Sequence, residues 1–86
     1  MTDRISLIVN PAATRVGAAL HQHVVDALTP FGLDTVTPTA RRGDGARLAA
    51  AAVDAGATLV VAMGGDGTAN EVAGALAGTG VPLAII

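Results

Sequence analysis

Cysteine, lysine, tryptophan and tyrosine are all absent from the 86 residues, and Phe31 is the one aromatic side chain. Without cysteine there can be neither a disulfide nor a thiolate metal site, a composition compatible with a cytoplasmic protein. Without lysine the chain cannot carry a P-loop, whose lysine reaches the phosphates. A surplus of one charge is lacking too. Seven acidic residues against five arginines give a formal charge of −2 and a pI of about 5.4, so there is no electrostatic footprint for nucleic acid. Long apolar runs are missing: after Met1-Thr2-Asp3-Arg4 comes a run of only five residues, too short for a signal peptide core or a membrane span. Repeats, low-complexity segments and linkers are also lacking. What remains is one small domain, in which 51% of the residues are hydrophobic and Ala, Val and Leu do the packing. A chain of this size buries roughly 60–65% of its unfolded surface, which makes for a marginal core.

The most distinctive stretch is Met63-Gly64-Gly65-Asp66-Gly67-Thr68-Ala69-Asn70-Glu71. Residues 58–62 before it are apolar and partly β-branched and read as a buried strand; residues 72–77 after it read as a helix. Three glycines thus stand at a strand-to-helix turn, where glycine admits φ > 0 and lets a ligand approach the backbone. The helix that follows offers free N–H groups and the positive end of its dipole, both suited to a phosphate. Thr68 is the expected N-cap, with Glu71 completing a capping box. A glycine-rich turn alone can reflect nothing more than a tight bend. The dinucleotide fingerprint fails, because its third glycine position holds Asn70. Asp66 sets the stretch apart. A carboxylate among glycines that face a phosphate is unfavourable by itself. It makes sense if it serves a metal ion, directly or through water, or takes a proton from an attacking hydroxyl.

In chain order, residues 5–9 read as a strand covered on both faces, broken by Asn10-Pro11. A helix is predicted from about residue 17 to 28, its apolar stripe formed by Leu20, Val24 and Leu28 with Val25 beside them. His21 and His23 are two apart on it, share no face, and read as solvated rather than as metal ligands. Residues 33–38 form a more exposed, edge-like strand. Asp44 is the expected cap of a helix over 45–55, stopped by Gly56. Residues 82–86 read as a buried fourth strand, on which the sequence stops, so a truncated product or fragment is expected. The order β-α-β-α-β-α-β implies an α/β fold with an open, mainly parallel sheet, Rossmann-like and incomplete. Ligands of such sheets lie beyond the carboxyl ends of the strands, here at residues 10–14, 39–43 and 64–68.

Gly64-Gly65-Asp66-Gly67-Thr68 followed by Asn70-Glu71 resembles the nucleotide-binding motif of the diacylglycerol kinase catalytic domain. That superfamily holds diacylglycerol, sphingosine, ceramide and bacterial lipid kinases and, more distantly, NAD kinases and phosphofructokinases. Asn10-Pro11 after the first strand, and Thr39 with Gly43 after the second, match the family pattern in order, so the resemblance spans the whole chain. One departure is Ala13-Thr14, where the family commonly has a Ser-Gly pair. The resemblance implies that Asn10, Thr14, Thr39, Gly65, Asp66, Gly67, Thr68, Asn70 and Glu71 contact ATP. Asn10 and Thr39 read equally well as turn residues.

By the same resemblance, Asp66 is the catalytic candidate, positioning Mg²⁺ or assisting deprotonation of a lipid hydroxyl, with no metal held by protein ligands alone. Cationic support would come from Mg²⁺, from Arg41 or Arg42, or from outside the chain; the arginine pair reads first as a solvated loop. The expected activity is transfer of the γ-phosphate of ATP to a diacylglycerol or sphingoid hydroxyl in phospholipid metabolism. The family's Gly-Thr-x-Asn-Asp segment and its β-rich second domain, which supplies much of the lipid site and a further carboxylate, are absent here. Residues 1–86 are therefore expected to be the N-terminal nucleotide-binding part, inactive alone, with lipid and peripheral membrane contact made through other parts. A homodimer is left open. The rivals are an NAD kinase, which usually has an apolar residue where this chain has Asn70, and a non-catalytic nucleotide-binding module.

Overall fold

The computed structural model describes residues 3–13 and 16–86. Its elements are β1 (Ile5–Val9), α1 (Ala18–Leu28), a short 3₁₀ turn (Thr29–Phe31), β2 (Leu33–Pro38), α2 (Asp44–Asp54), β3 (Leu59–Met63), α3 (Asp66–Leu76) and β4 (Leu83–Ile85). The strands form one sheet in the order β2-β1-β3-β4, and every neighbouring pair is parallel. The expected α/β architecture, open and parallel with helices between strands, is what forms.

The central pair β1 and β3 explains why the sheet closes where it does. Ile-Ser-Leu-Ile-Val is buried along its whole length, as its nearly unbroken apolarity requires of a strand covered on both sides. Ile5, Leu7 and Val9 face α1 together with Val61 and Met63, and Val24 comes down from the helix onto them. Ile8, Val60 and Ala62 face the other way, against Ala49 and Ala52 of α2 and Val72 and Leu76 of α3. Of the large side chains that are fully buried, all but Val72 belong to β1 and β3. Each contributes about 1.5–3 kcal/mol by leaving water, so the two central strands hold most of the fold together. The alanines of α2 let that helix lie close to the sheet.

The connections also fix where a ligand can bind. From β1 the chain leaves through α1 to β2 on one side; from β3 it leaves through α3 to β4 on the other. Adjacent strands whose connections diverge leave a crevice at their carboxyl ends. Here that crevice lies between the end of β1, at Asn10, and the end of β3, at Gly64.

The edge-like character expected of β2 is borne out, since it is an outer strand and mostly exposed. Four readings need correction. The third helix begins at Asp66 rather than near residue 72, because the glycine-rich motif itself supplies the first helical turn. The second begins at Asp44, one residue early, so Asp44 lies inside it. The last strand is half-exposed rather than buried, with Ile85 61% accessible, since it pairs with β3 along one edge only among the described residues. Leu20, placed on the apolar stripe of α1, is exposed; Val24 is the buried residue of that helix.

Candidate functional site

The crevice is built by backbone bonds from one strand end to the next. The Asn10 N–H donates to the Met63 carbonyl at 2.8 Å, and the Thr39 N–H donates to the Val9 carbonyl at 2.8 Å. The ends of β1, β2 and β3 are thereby held side by side. Asn10 also turns its own loop: its Oδ1 accepts from the Ala12 N–H at 3.0 Å, which is the turn-holding use of asparagine. Between these loops opens a cleft of about 240 Å³ lined by Asn10, Ala12, Thr39, Ala40, Arg41, Arg42, Thr68 and Glu71. Both arginines are exposed. A second cleft of about 250 Å³ is lined by Leu48, Ala51 and Ala52 of α2 together with Ile5 and Ser6 of β1 and Asp34, Thr35 and Thr37 of β2, and contains none of the motif residues.

Gly65, Asp66 and Gly67 lie beside the first cleft, exposed at the amino end of α3. Gly65 is the N-cap, with φ −87°, and no side chain among the described residues caps the helix. Its first N–H groups therefore keep their hydrogen-bonding capacity and its positive end points outward. Asp66 is the first helical residue and has no hydrogen-bond or ion-pair partner among the described residues.

The three glycines of the motif do different jobs, and none adopts positive φ. A Cβ on Gly64 would come within 2.9 Å of the Asn10 Cβ, so glycine is needed there for the two strand ends to meet. A Cβ on Gly65 or Gly67 would meet nothing within 4 Å. That open space borders the free helix end, where a phosphate would approach the backbone.

Thr68 and Glu71 do not form the expected capping box. Thr68 is buried within the first turn of α3, two residues past its start. Glu71 reaches across to another helix: its Oε2 accepts from the Gly43 N–H at 3.0 Å and its Oε1 from the Gly45 N–H at 2.9 Å. It thus satisfies the amino end of α2, whose own N-cap, Gly43, has no side chain to do so. Asp44 turns backwards rather than capping its helix. Its Oδ2 accepts from the Ala40 N–H at 2.8 Å and the Arg41 N–H at 3.1 Å, while Arg47 Nη2 lies 3.3 Å from Oδ1. The Ala40 bond, with those from Arg41 and Arg47 and against the opposing effect of burial, holds this carboxyl below its ordinary value of 3.8. Sequence reasoning missed this supporting role; the signal was two acidic residues near glycine helix starts that could not both serve their own helices.

Of the expected contact residues, Asn10, Thr39, Thr68 and Glu71 come together in one cleft, with Gly65, Asp66 and Gly67 adjoining it. Asn70 is exposed on α3 and does not line the cleft. Thr14 lies outside the described residues. Of the two histidines, His23 is exposed, and the Nε2 of half-buried His21 has no partner among the described residues. No group of three metal-ligating side chains occurs among the described residues, and none of their helices is long and apolar enough to cross a membrane.

An open helix end at the switch point of a parallel sheet is an arrangement whose N–H groups and dipole suit an anion such as phosphate. Residues 4–86 match the model of the diacylglycerol kinase catalytic domain, and the chain belongs to that family. A Cronobacter sakazakii protein named "Probable lipid kinase YegS-like" is 58% identical over 43 residues, which is 50% of this chain and 14% of that protein. A crystal structure of a diacylglycerol kinase-type protein from Bacillus anthracis superposes with a TM-score of 0.77 at 31% identity, covering 98% of this chain and 30% of that one. A further diacylglycerol kinase structure from the same organism gives 0.76 at 30% identity over 98% of this chain and 32% of that one. The chain thus spans about a third of the solved relatives' length.

Two outcomes follow from this geometry. Gly64→Ala should destabilise by about 1–3 kcal/mol through overpacking, seen as a fall of several degrees in Tm, whereas Gly67→Ala, inside the first turn of α3 with open space at its Cβ, should not lower Tm but should weaken binding of inorganic pyrophosphate. Equal melting of the two variants would contradict the division of labour. For Asp44, whose folded value is depressed, the stabilising contribution is complete above the ordinary 3.8 and is lost as pH falls through the lower folded value. The Tm gap between the unaltered chain and Asp44→Asn should therefore be full at neutral pH and shrink in strong acid; a gap that does not vary with pH would contradict this.

Proposed function

We propose that the chain is the nucleotide-binding portion of a lipid kinase, which transfers the γ-phosphate of ATP to a lipid hydroxyl. The observation that carries this reading is the amino end of α3, with neither a side-chain cap nor a partner for its first residue, Asp66, among the described residues. Membership of the diacylglycerol kinase catalytic family supports it. The N–H groups of the turn at Gly65, Gly67 and Thr68 hold phosphate oxygens, and the missing side chains at Gly65 and Gly67 let them approach. Arg41 and Arg42, exposed on the facing wall, supply positive charge to the part of the nucleotide that extends beyond the turn.

Asp66 decides the chemistry. A bare carboxylate 4 Å from a phosphate charge is opposed by about 4 kcal/mol at an effective dielectric of 20. The contact becomes favourable when a cation lies between the two, or when the carboxylate accepts a proton. One free carboxylate and no three-ligand cluster among the described residues suit an ion that arrives on the nucleotide rather than one held by the protein alone. Asp66 would hold Mg²⁺ together with the phosphates; when bound, Mg²⁺ supplies charge neutralisation for the group being transferred. Asp66 otherwise orients the acceptor hydroxyl and draws its proton as the oxygen attacks. The lipid is carried by protein beyond these residues, and membrane contact and any role in phospholipid synthesis belong there too.

The test is Asp66→Asn in a complete kinase containing this segment, assayed with ATP and either a diacylglycerol or NAD as acceptor. Turnover on the lipid should fall by roughly 10²–10⁴-fold with Tm unchanged. Preserved turnover would remove the role given to Asp66. Phosphorylation of NAD but not of lipid would move the chain to the NAD kinase branch.

A further inference from the structure

We infer that Glu71 is a positioning residue rather than a nucleotide contact: it latches the loop at residues 39–43 to α3 and so sets the far wall of the cleft. The inference rests on the nucleotide reading of that cleft for its consequence, but not for the latch itself. Both carboxylate oxygens are already used, at 3.0 Å and 2.9 Å, by the Gly43 and Gly45 N–H groups. Bonds to an ionised acceptor are roughly twice as strong as neutral ones, and two of them fix direction as well as distance.

The partner glycines are shaped to receive it. A Cβ on Gly45 would lie 2.9 Å from Glu71 Oε1 and 3.1 Å from its Cβ, so the side chain occupies the space that glycine vacates. Gly43 sits at φ 92°, in the left-handed region that other residues enter only with strain, and in that conformation its N–H meets Oε2. Asp44 holds the same loop from its own helix, through the N–H groups of Ala40 and Arg41. The stretch carrying Thr39, Arg41 and Arg42 is thereby tied at both ends, and one tie runs to the helix whose first turn holds Asp66.

This has an electrostatic consequence. The amino end of α2, a potential anion site beside the same cleft, is neutralised internally by Glu71. A phosphate is left with the end of α3. Glu71 therefore selects the helix end that an anion meets and holds the arginine-bearing wall opposite it.

The experiment compares Glu71→Gln and Gly45→Ala with the unaltered chain by amide hydrogen exchange and by titration with inorganic pyrophosphate and magnesium ATP. Pyrophosphate is small enough to read the glycine turn alone, whereas ATP reads both walls. In both variants exchange at Gly43 and Gly45 should quicken about tenfold, the effect of losing one charge-assisted hydrogen bond. ATP affinity should fall about tenfold while pyrophosphate affinity holds, a split that general loosening of the fold would not give. Equal loss of both ligands, or no loss of either, would overturn the positioning role. Exchange is read without ligand, so failure of the unaltered chain to bind either ligand would count against the nucleotide reading, and the latch would still be decided. Unchanged exchange in both variants would overturn it.

Discussion

The start of an α-helix leaves four N–H groups without partners, and what satisfies them governs this molecule. Two such ends meet at the cleft. At α2 the need is met from inside the protein, by the carboxylate of Glu71. At α3 no side chain among the described residues meets it, and the residues that could have crowded the space are glycines. The asymmetry makes one end structural and the other receptive. It also explains how Asp66 can stand there without a partner: the helix dipole favours a negative charge in its first turn.

Everything else serves to bring that end to the right place. The divergence of the connections from β1 and β3 creates the crevice, and burial along both strands keeps them adjacent. The close meeting of Asn10 with Gly64 then sets the entry of α3 against the loop after β1. Ala49 and Ala52 bring α2 down on the same side of the sheet as α3, which places Gly43 and Gly45 within reach of Glu71. Packing of small residues and placement of polar groups are thus one problem here.

Much of this could be read from the sequence because it is local. β1 and β3 are short apolar runs bounded by breakers, and residues 33–38 alternate as an edge strand should. Alternation of strand and helix implied a parallel sheet, and a parallel sheet implied which loops gather. The start of α3 was not legible, since apolar periodicity begins only at Val72 and glycines argue against helix. The partners of Glu71 were not legible either. They lie 26 and 28 residues away and depend on two helices packing side by side. An acidic residue three positions after a threonine looks like a capping box until the helix is found to start earlier. The strand at residues 83–85 shows a different limit: apolar character indicates a strand but not whether a neighbour covers it.

The central claim is that an uncapped helix end beside a lone carboxylate receives the phosphates of a nucleotide together with its metal ion. Crystals soaked with ATP and Mn²⁺, with the metal located by its anomalous scattering, address it most directly. The account predicts phosphate oxygens about 3 Å from the N–H groups of the turn at Gly65 to Thr68, and an anomalous peak shared between the phosphates and Asp66. A nucleotide bound elsewhere, with that turn empty and no metal at Asp66, would contradict it.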